Sequence, residues 1–148
     1  MRYRKAFLAV SEKRRGVVHT GGREDFMKRA GKKVWLIPDM YWPEVTSPGQ
    51  YVSHESICVL NTSDRECRVS ITLYYEDREP IEGLYAVCPA KRTAHIRMDQ
   101  LRDGSGGTIL RGVPYASLLQ CSIPVVVQYT RVDTTQSENA LMTTMAYC

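Results

Sequence analysis

The segment SHES (residues 53–56) places His54 beside Glu55, two residue types that general acid–base catalysis uses. Adjacent residues of a strand point to opposite faces, so these two side chains cannot act on one substrate unless the strand is distorted. A serine hydrolase also needs its nucleophile on a sharp turn, and the chain has no GxSxG segment. The spacing therefore argues against a hydrolase.

A metal site is the second chemistry to consider, because His54 and His95 could converge with Glu55 or Asp99. The chain has no HxH or HExxH spacing, and its five cysteines are scattered without a CxxC pair. We interpret the histidines as hydrogen-bonded structural side chains and the cysteines as reduced, mostly buried thiols. The GSGG segment (104–107) lacks the pattern of a phosphate-binding loop. The sequence thus predicts neither a metal nor a cofactor.

A third candidate is the stretch VVVQYTRVDTTQSENAL (125–141), an apolar strand that ends in a polar cluster. If it shares a sheet with 91–98, then His95, Arg97 and the outward Gln128 and Thr130 form one polar face. Such faces are normally only solvated. Beside aromatic rings, however, they suit sugars, whose apolar faces stack on rings while their hydroxyls form hydrogen bonds. The candidate rings are Trp35, Tyr41, Trp42, Tyr74, Tyr75 and Tyr129, and for each of them core packing is the simpler interpretation.

The elements that position these residues are short strands. CRVSITLYYED (67–77) alternates apolar and polar side chains, and turn residues recur every 8–12 positions with almost no helical periodicity. This pattern predicts an all-β fold, an antiparallel β-sandwich of about seven to eight strands. We expect the first strand to stop at Pro38, and 114–122 to form a hairpin with 124–132. The predicted strands are 34–38, 55–62, 67–77, 84–90, 91–98, 114–122, 124–132 and 138–148.

Charge divides the chain into two parts. Residues 1–33 hold eleven Lys/Arg against three acids, and 34–148 hold nine against thirteen. We predict a basic N-terminal arm over 1–32, mobile or a start-site extension if Met27 is the true start, and a sandwich domain over 33–148. Such an arm can bind nucleic acid or anionic lipid, or nothing specific. With no 18-residue apolar run and no signal peptide pattern, we expect a cytoplasmic protein.

Four longer strings carry a resemblance that covers residues 33–147. They are SHESICVLNTSD (53–64), ITLYYEDREPI (71–81), PAKRTAHIRMDQL (89–101) and SIPVVVQYTRVDTTQSENALMTTMAY (122–147). In this order the strings resemble the soluble sensory rhodopsin transducer family. The segment DMYWPEV (39–45) departs from the family pattern, which argues against a ligand role for Tyr41 or Trp42.

The resemblance implies a non-enzymatic signalling or binding module that assembles into a cyclic homotetramer and senses a small polar ligand such as a carbohydrate. The alternative is an adaptor that relays a signal from a membrane photoreceptor or binds DNA as a regulator. We also expect Arg131 to pair with Glu138 across the last hairpin. The candidate ligand or interface residues are His54, Glu55, His95, Arg97, Gln128, Thr130, Arg131, Glu138 and Asn139.

Overall fold

The computed structural model describes residues 30–148. Most of the predicted basic arm, with Met27, falls on residues 1–29 and lies outside the described part. The described chain forms seven strands and one short 3-10 turn, Met98–Gln100. The strands are β1 (Lys32–Tyr41), β2 (His54–Asn61), β3 (Cys67–Tyr74), β4 (Ile81–Cys88), β5 (Arg92–Arg97), β6 (Pro114–Asp133) and β7 (Ala140–Met145).

Strand β6 organises the sheet, because every other strand pairs with it or with one of its partners. Its first part pairs with β1 and β3, and its last part pairs with β2 and β7. Strand β4 extends the sheet from β3, and β5 extends it from β2. All pairings are antiparallel, and the sheet curls so that its two halves enclose one core. The predicted all-β antiparallel fold class is confirmed.

The hairpin predicted around Ser122-Ile123-Pro124 is wrong, since β6 continues through these residues as one strand. Burial alternates without interruption from Tyr115 to Tyr129, so the period-2 pattern has no break at which the chain turns. Proline normally interrupts a ladder because it has no N–H. Pro124 lies between Gln120 and Val125, where the register of β6 with β1 shifts and the strand passes from one half of the sheet to the other. Its missing N–H therefore costs no hydrogen bond to β1.

Strand β1 likewise continues past Pro38 to Tyr41, which corrects its predicted end. Its register with β6 shifts between Ile37 and Met40, so Pro38 sits in an irregularity of an otherwise paired strand. Bulges of this kind place proline without losing a required hydrogen bond. The predicted alternation of β3 is confirmed, with Val69, Ile71 and Leu73 fully buried.

One apolar core fills the space between the two halves. Residues with less than 2 % exposure come from both halves, among them Ile57, Leu73, Leu119 and Val127. Burial of such side chains contributes about 1.5–3 kcal/mol each, which is the main force that holds the curled sheet closed. No helix among residues 30–148 is long and apolar enough to cross a membrane.

Candidate functional site

The centre of the candidate site is Glu55, an acid that is fully buried near the start of β2. Tyr115 donates a hydrogen bond to its Oε2 and Tyr129 donates one to its Oε1. The backbone N–H of Tyr41 donates to Oε1 at 2.6 Å. A buried carboxylate is tolerated only when donors replace its lost hydration, and these three donors do so.

Arg131 supplies the nearest positive charge, because β6 places it opposite Glu55 on β2. Its Nε donates to the Tyr129 hydroxyl at 3.0 Å and lies 3.9 Å from Glu55 Oε1. Its second terminal nitrogen is buried without a hydrogen bond and lies 3.7 Å from Asp39 Oδ1, which is a looser ion-pair distance. Arg131 therefore connects the buried carboxylate to the exposed Asp39.

These contacts shift the ionisation of the cluster. Burial and the neighbouring Glu55 charge raise the pKa of Tyr115 well above its usual value. The same two causes raise the pKa of Tyr129, although Arg131 opposes the change. Burial lowers the pKa of Arg131, yet Tyr129, Glu55 and Asp39 together raise it above its ordinary value. Both tyrosines thus remain protonated donors throughout the physiological range.

A cleft of about 310 Å³ opens beside this cluster. It is bounded by the β1 irregularity, the end of β3 and the start of β6. Tyr115 forms one wall while its hydroxyl reaches inward to Glu55. The Tyr75 ring lies 5.8 Å from the Tyr115 ring, and its hydroxyl is buried without a hydrogen bond. The lining residues are Pro38, Asp39, Tyr74, Tyr75, Glu76, Pro114, Tyr115 and Ala116.

We call the face of β5, β2, β6 and β7 that is turned away from the core the outer face. Five of the residues predicted from the sequence lie on it: His54, His95, Arg97, Gln128 and Thr130. Strand β2 lies between β5 and β6, so the predicted polar strands share one sheet. The registers form two rows across it. One row is Arg97, Ser56, Thr130 and Thr143, and the other is His95, Cys58, Gln128 and Met145. His54 lies on the same face, next to the row of Ser56.

Most polar groups of the outer face already have partners. Arg97 donates two hydrogen bonds of 2.8 Å to Asp99, and Gln128 donates one to Thr143. The His54 Nδ1 lies 2.8 Å from the Val52 carbonyl oxygen. His95 is exposed. The outer face is therefore a preformed polar surface on which His95 is the most open titratable group of the five.

The last two predicted residues, Glu138 and Asn139, are exposed in the turn between β6 and β7. Ser137 donates a 2.8 Å hydrogen bond to Glu138, which lowers the pKa of that carboxyl. The predicted pair between Arg131 and Glu138 does not form, because Arg131 turns inward to Tyr129 and Glu55. The register explains this outcome, since Arg131 faces Met142 on β7 rather than the turn.

Tyr115 is not among the residues predicted from the sequence, and Glu55, predicted with residues of the polar face, is buried instead. A signal for both was present, because Glu55 has the phase of the apolar Ile57 and Val59 along β2. An acid in phase with buried residues requires buried donors. Tyr115 has the phase of Leu119 on β6 and was a natural source of such a donor.

Comparison with known proteins agrees with this fold. Residues 30–148 match the family model described as Anabaena sensory rhodopsin transducer. The crystal structure of Thermotoga maritima 1070 is 34% identical over 79% of this chain and 94% of its own, with a TM-score of 0.70. The Anabaena sensory rhodopsin transducer is 37% identical over 72% and 93%, with a TM-score of 0.62. No protein with a curated description matches the chain. Because the family model matches residues 30–148, this chain belongs to the sensory rhodopsin transducer family.

Proposed function

We propose that this chain is a non-enzymatic, oligomeric signalling module that senses a small polar ligand, such as a carbohydrate, in the cleft beside Glu55. The single observation that carries the proposal is the combination of tyrosine rings and carboxylates around one concavity. Tyr74 and Tyr75 offer rings, and Asp39 and Glu76 offer acceptors for hydroxyl groups. A sugar needs both, because its C–H face packs on a ring and its hydroxyls donate to acids.

The cleft is large enough for a small molecule, and one of its walls is held in place by the buried cluster. Its volume of about 310 Å³ lies at the lower end of the range for such pockets. The Tyr115 wall is fixed by its hydrogen bond to Glu55, and Glu55 is in turn held by Tyr129. A preformed wall reduces the entropy lost on binding. The predicted ligand residues Glu55 and Arg131 would then act behind the cleft, by holding its wall and its Asp39 rim.

We assign the outer face and β7 to self-association within the proposed homotetramer. Every residue of β7 is exposed, and its apolar side chains include Leu141 at 72%, Met142 at 42% and Met145 at 57%. The strand carries no charge or proline, the devices with which a free edge normally discourages pairing. A second subunit that covers this strand would bury apolar surface beside the polar rows of His95 and Gln128.

The absence of catalysis in the proposal has a geometric basis. His54 and His95 project from the outer face, whereas Glu55 projects into the core. A general acid and a general base must both reach one substrate within hydrogen-bond distance. Side chains on opposite faces of one sheet cannot do so, and Glu55 is moreover occupied by two tyrosine hydroxyls.

A thermal-shift screen over sugars and other polar metabolites tests the proposed function. A ligand present at about 100 times its dissociation constant adds roughly 2.7 kcal/mol to the free energy of unfolding. The proposal requires at least one such ligand in a broad panel. If no ligand in the panel raises the unfolding temperature, the sensing function is overturned.

The alternative function is an adaptor that relays a signal from a membrane photoreceptor or binds DNA as a regulator. The name of the 37% identical relative, a sensory rhodopsin transducer, favours the photoreceptor version. Titration of the purified chain onto such a receptor in nanodiscs tests it. Saturable binding to the receptor supports the adaptor function, and no binding at any receptor concentration excludes it.

A further inference from the structure

The two ends of the domain carry opposite charge. At one end, which we call the acidic end, the start of β2, the end of β3 and both ends of β6 lie together. The hydrogen bonds of Tyr115 and Tyr129 to Glu55 join the start of β2 to the two ends of β6. The other, the basic end, gathers the start of β1, the turns β2–β3 and β4–β5, and the middle of β6. The Lys91 N–H donates to the Ser63 carbonyl at 3.0 Å, and the Arg68 N–H donates to Ser122 at 2.9 Å.

Six basic side chains surround the basic end, and all of them are exposed. They are Lys32, Lys33, Arg65, Arg68, Lys91 and Arg92. Two acids accompany them, Asp64 beside Lys91 and Glu66 at 3.6 Å from Arg68. These pairs are largely exposed, and exposed pairs contribute little. The basic end therefore carries a net excess of four positive charges, on a described chain whose remaining surface is acidic.

Exposed aliphatic side chains lie at the rim of the same end. Val34 is 50% exposed next to Lys33, Leu60 is 46% exposed at the end of β2, and Val87 is 48% exposed opposite Arg68. The aromatic residue Tyr85 lies two residues from Val87 along β4, opposite Ser70 and further from the basic end. Base stacking needs aromatic rings, whereas aliphatic side chains between cations suit the boundary between lipid headgroups and acyl chains.

We propose that the basic end is a peripheral docking surface for an anionic lipid bilayer. Basic residues near an anionic leaflet are each attracted to its surface charge, and the aliphatic rim adds shallow insertion. Residues 1–31, which precede Lys32 in the sequence, hold nine further Lys/Arg. The surface lies at the opposite end from the cleft, so the proposal does not depend on the ligand function.

The test is co-sedimentation of the full chain with vesicles of phosphatidylcholine containing about one third phosphatidylserine, and with pure phosphatidylcholine vesicles. The informative variant is Arg65→Gln with Arg92→Gln at the basic end. Its matched control is Arg78→Gln with Arg102→Gln at the acidic end, which changes the net charge equally. Near-ultraviolet circular dichroism and the unfolding midpoint confirm that both variants are folded.

We expect binding to the anionic vesicles that weakens with salt, and no binding to the neutral ones. Loss of two basic residues weakens binding by roughly 25-fold, because each contributes about fivefold. The control changes it by no more than about twofold, since its charges are screened from the bilayer. Equal losses in both variants overturn the proposal, as does equal binding to neutral vesicles. Binding to duplex DNA that depends on Arg65 and Arg92, with no binding to vesicles, overturns it in favour of a nucleic-acid surface.

Discussion

Tyr115 and Tyr129 stand at opposite ends of the buried run of β6, and both donate a hydrogen bond to the same carboxylate, Glu55. Strand β6 must curve for its two ends to meet in this way. Glu55 thereby joins the half of the sheet that holds β1 and β3 to the half that holds β2 and β7. It lies between the cleft wall and Arg131, which makes it the structural centre of the candidate site.

Replacement of Glu55 tests this role. Glu55→Gln keeps the shape but removes the charge and turns one acceptor into a donor that faces a tyrosine hydroxyl. We expect the free energy of unfolding to fall by about 3 kcal/mol, because a buried charge partner of Arg131 is lost. Urea denaturation measures the change. Glu76→Gln is the matched control, since this acid is exposed, and a loss of equal size in both variants contradicts the role.

Two tyrosines provide a matched pair of hydroxyl deletions. Tyr129→Phe removes a hydroxyl that donates to Glu55 and accepts from Arg131, so we expect a loss of about 1–3 kcal/mol. Tyr75→Phe removes a buried hydroxyl that has no partner, so we expect little change or a small gain in stability. Urea denaturation measures the free energy of unfolding of both variants. Tyr75→Phe costing as much as Tyr129→Phe is the unfavourable result.

The pH dependence of stability follows from the raised pKa of Tyr115 and Tyr129. In the unfolded chain a tyrosine ionises near pH 10, whereas the folded chain holds both hydroxyls protonated to higher pH. Their contribution is therefore complete below about pH 10 and is lost as pH rises above it. Above pH 10 the free energy of unfolding should therefore fall less steeply with pH in Tyr129→Phe than in the wild type, by about 1.4 kcal/mol per pH unit. Unfolding curves between pH 8 and 11 check this, and an unchanged slope refutes it.

Self-association through β7 predicts a change of oligomeric state. Leu141→Lys places a charge on the exposed strand that the proposed interface covers, so we expect the oligomer to dissociate. Val45→Lys adds the same charge at a loop residue of similar exposure, and we expect the oligomer to persist. Sedimentation velocity distinguishes the two results. A monomeric wild-type chain at micromolar concentration contradicts the interface.

The alternation of apolar residues was sufficient to predict the strands and the all-β class, since side-chain period is a local property. Strand β6 was divided in error because Pro124 is a local stop signal, and its tolerance depends on where β1 changes register. The site was harder to predict. His95, Arg97, Gln128 and Thr130 share a face as expected, because facing follows from the period. The burial of Glu55 follows from its phase with Ile57 and Val59, but its donors, Tyr115 and Tyr129, are brought to it by the curvature of β6, which no local pattern encodes.

The most direct test of the proposed function locates the ligand. With the best ligand from the thermal-shift screen, titration calorimetry compares the cleft variants Tyr74→Ala and Glu76→Gln with the outer-face variants His95→Ala and Gln128→Ala. We predict that each cleft variant weakens binding by about tenfold, the effect of losing a ring contact or a charged acceptor. The outer-face variants should bind as the wild type does. Loss of binding in the outer-face variants with retention in the cleft variants would contradict the account.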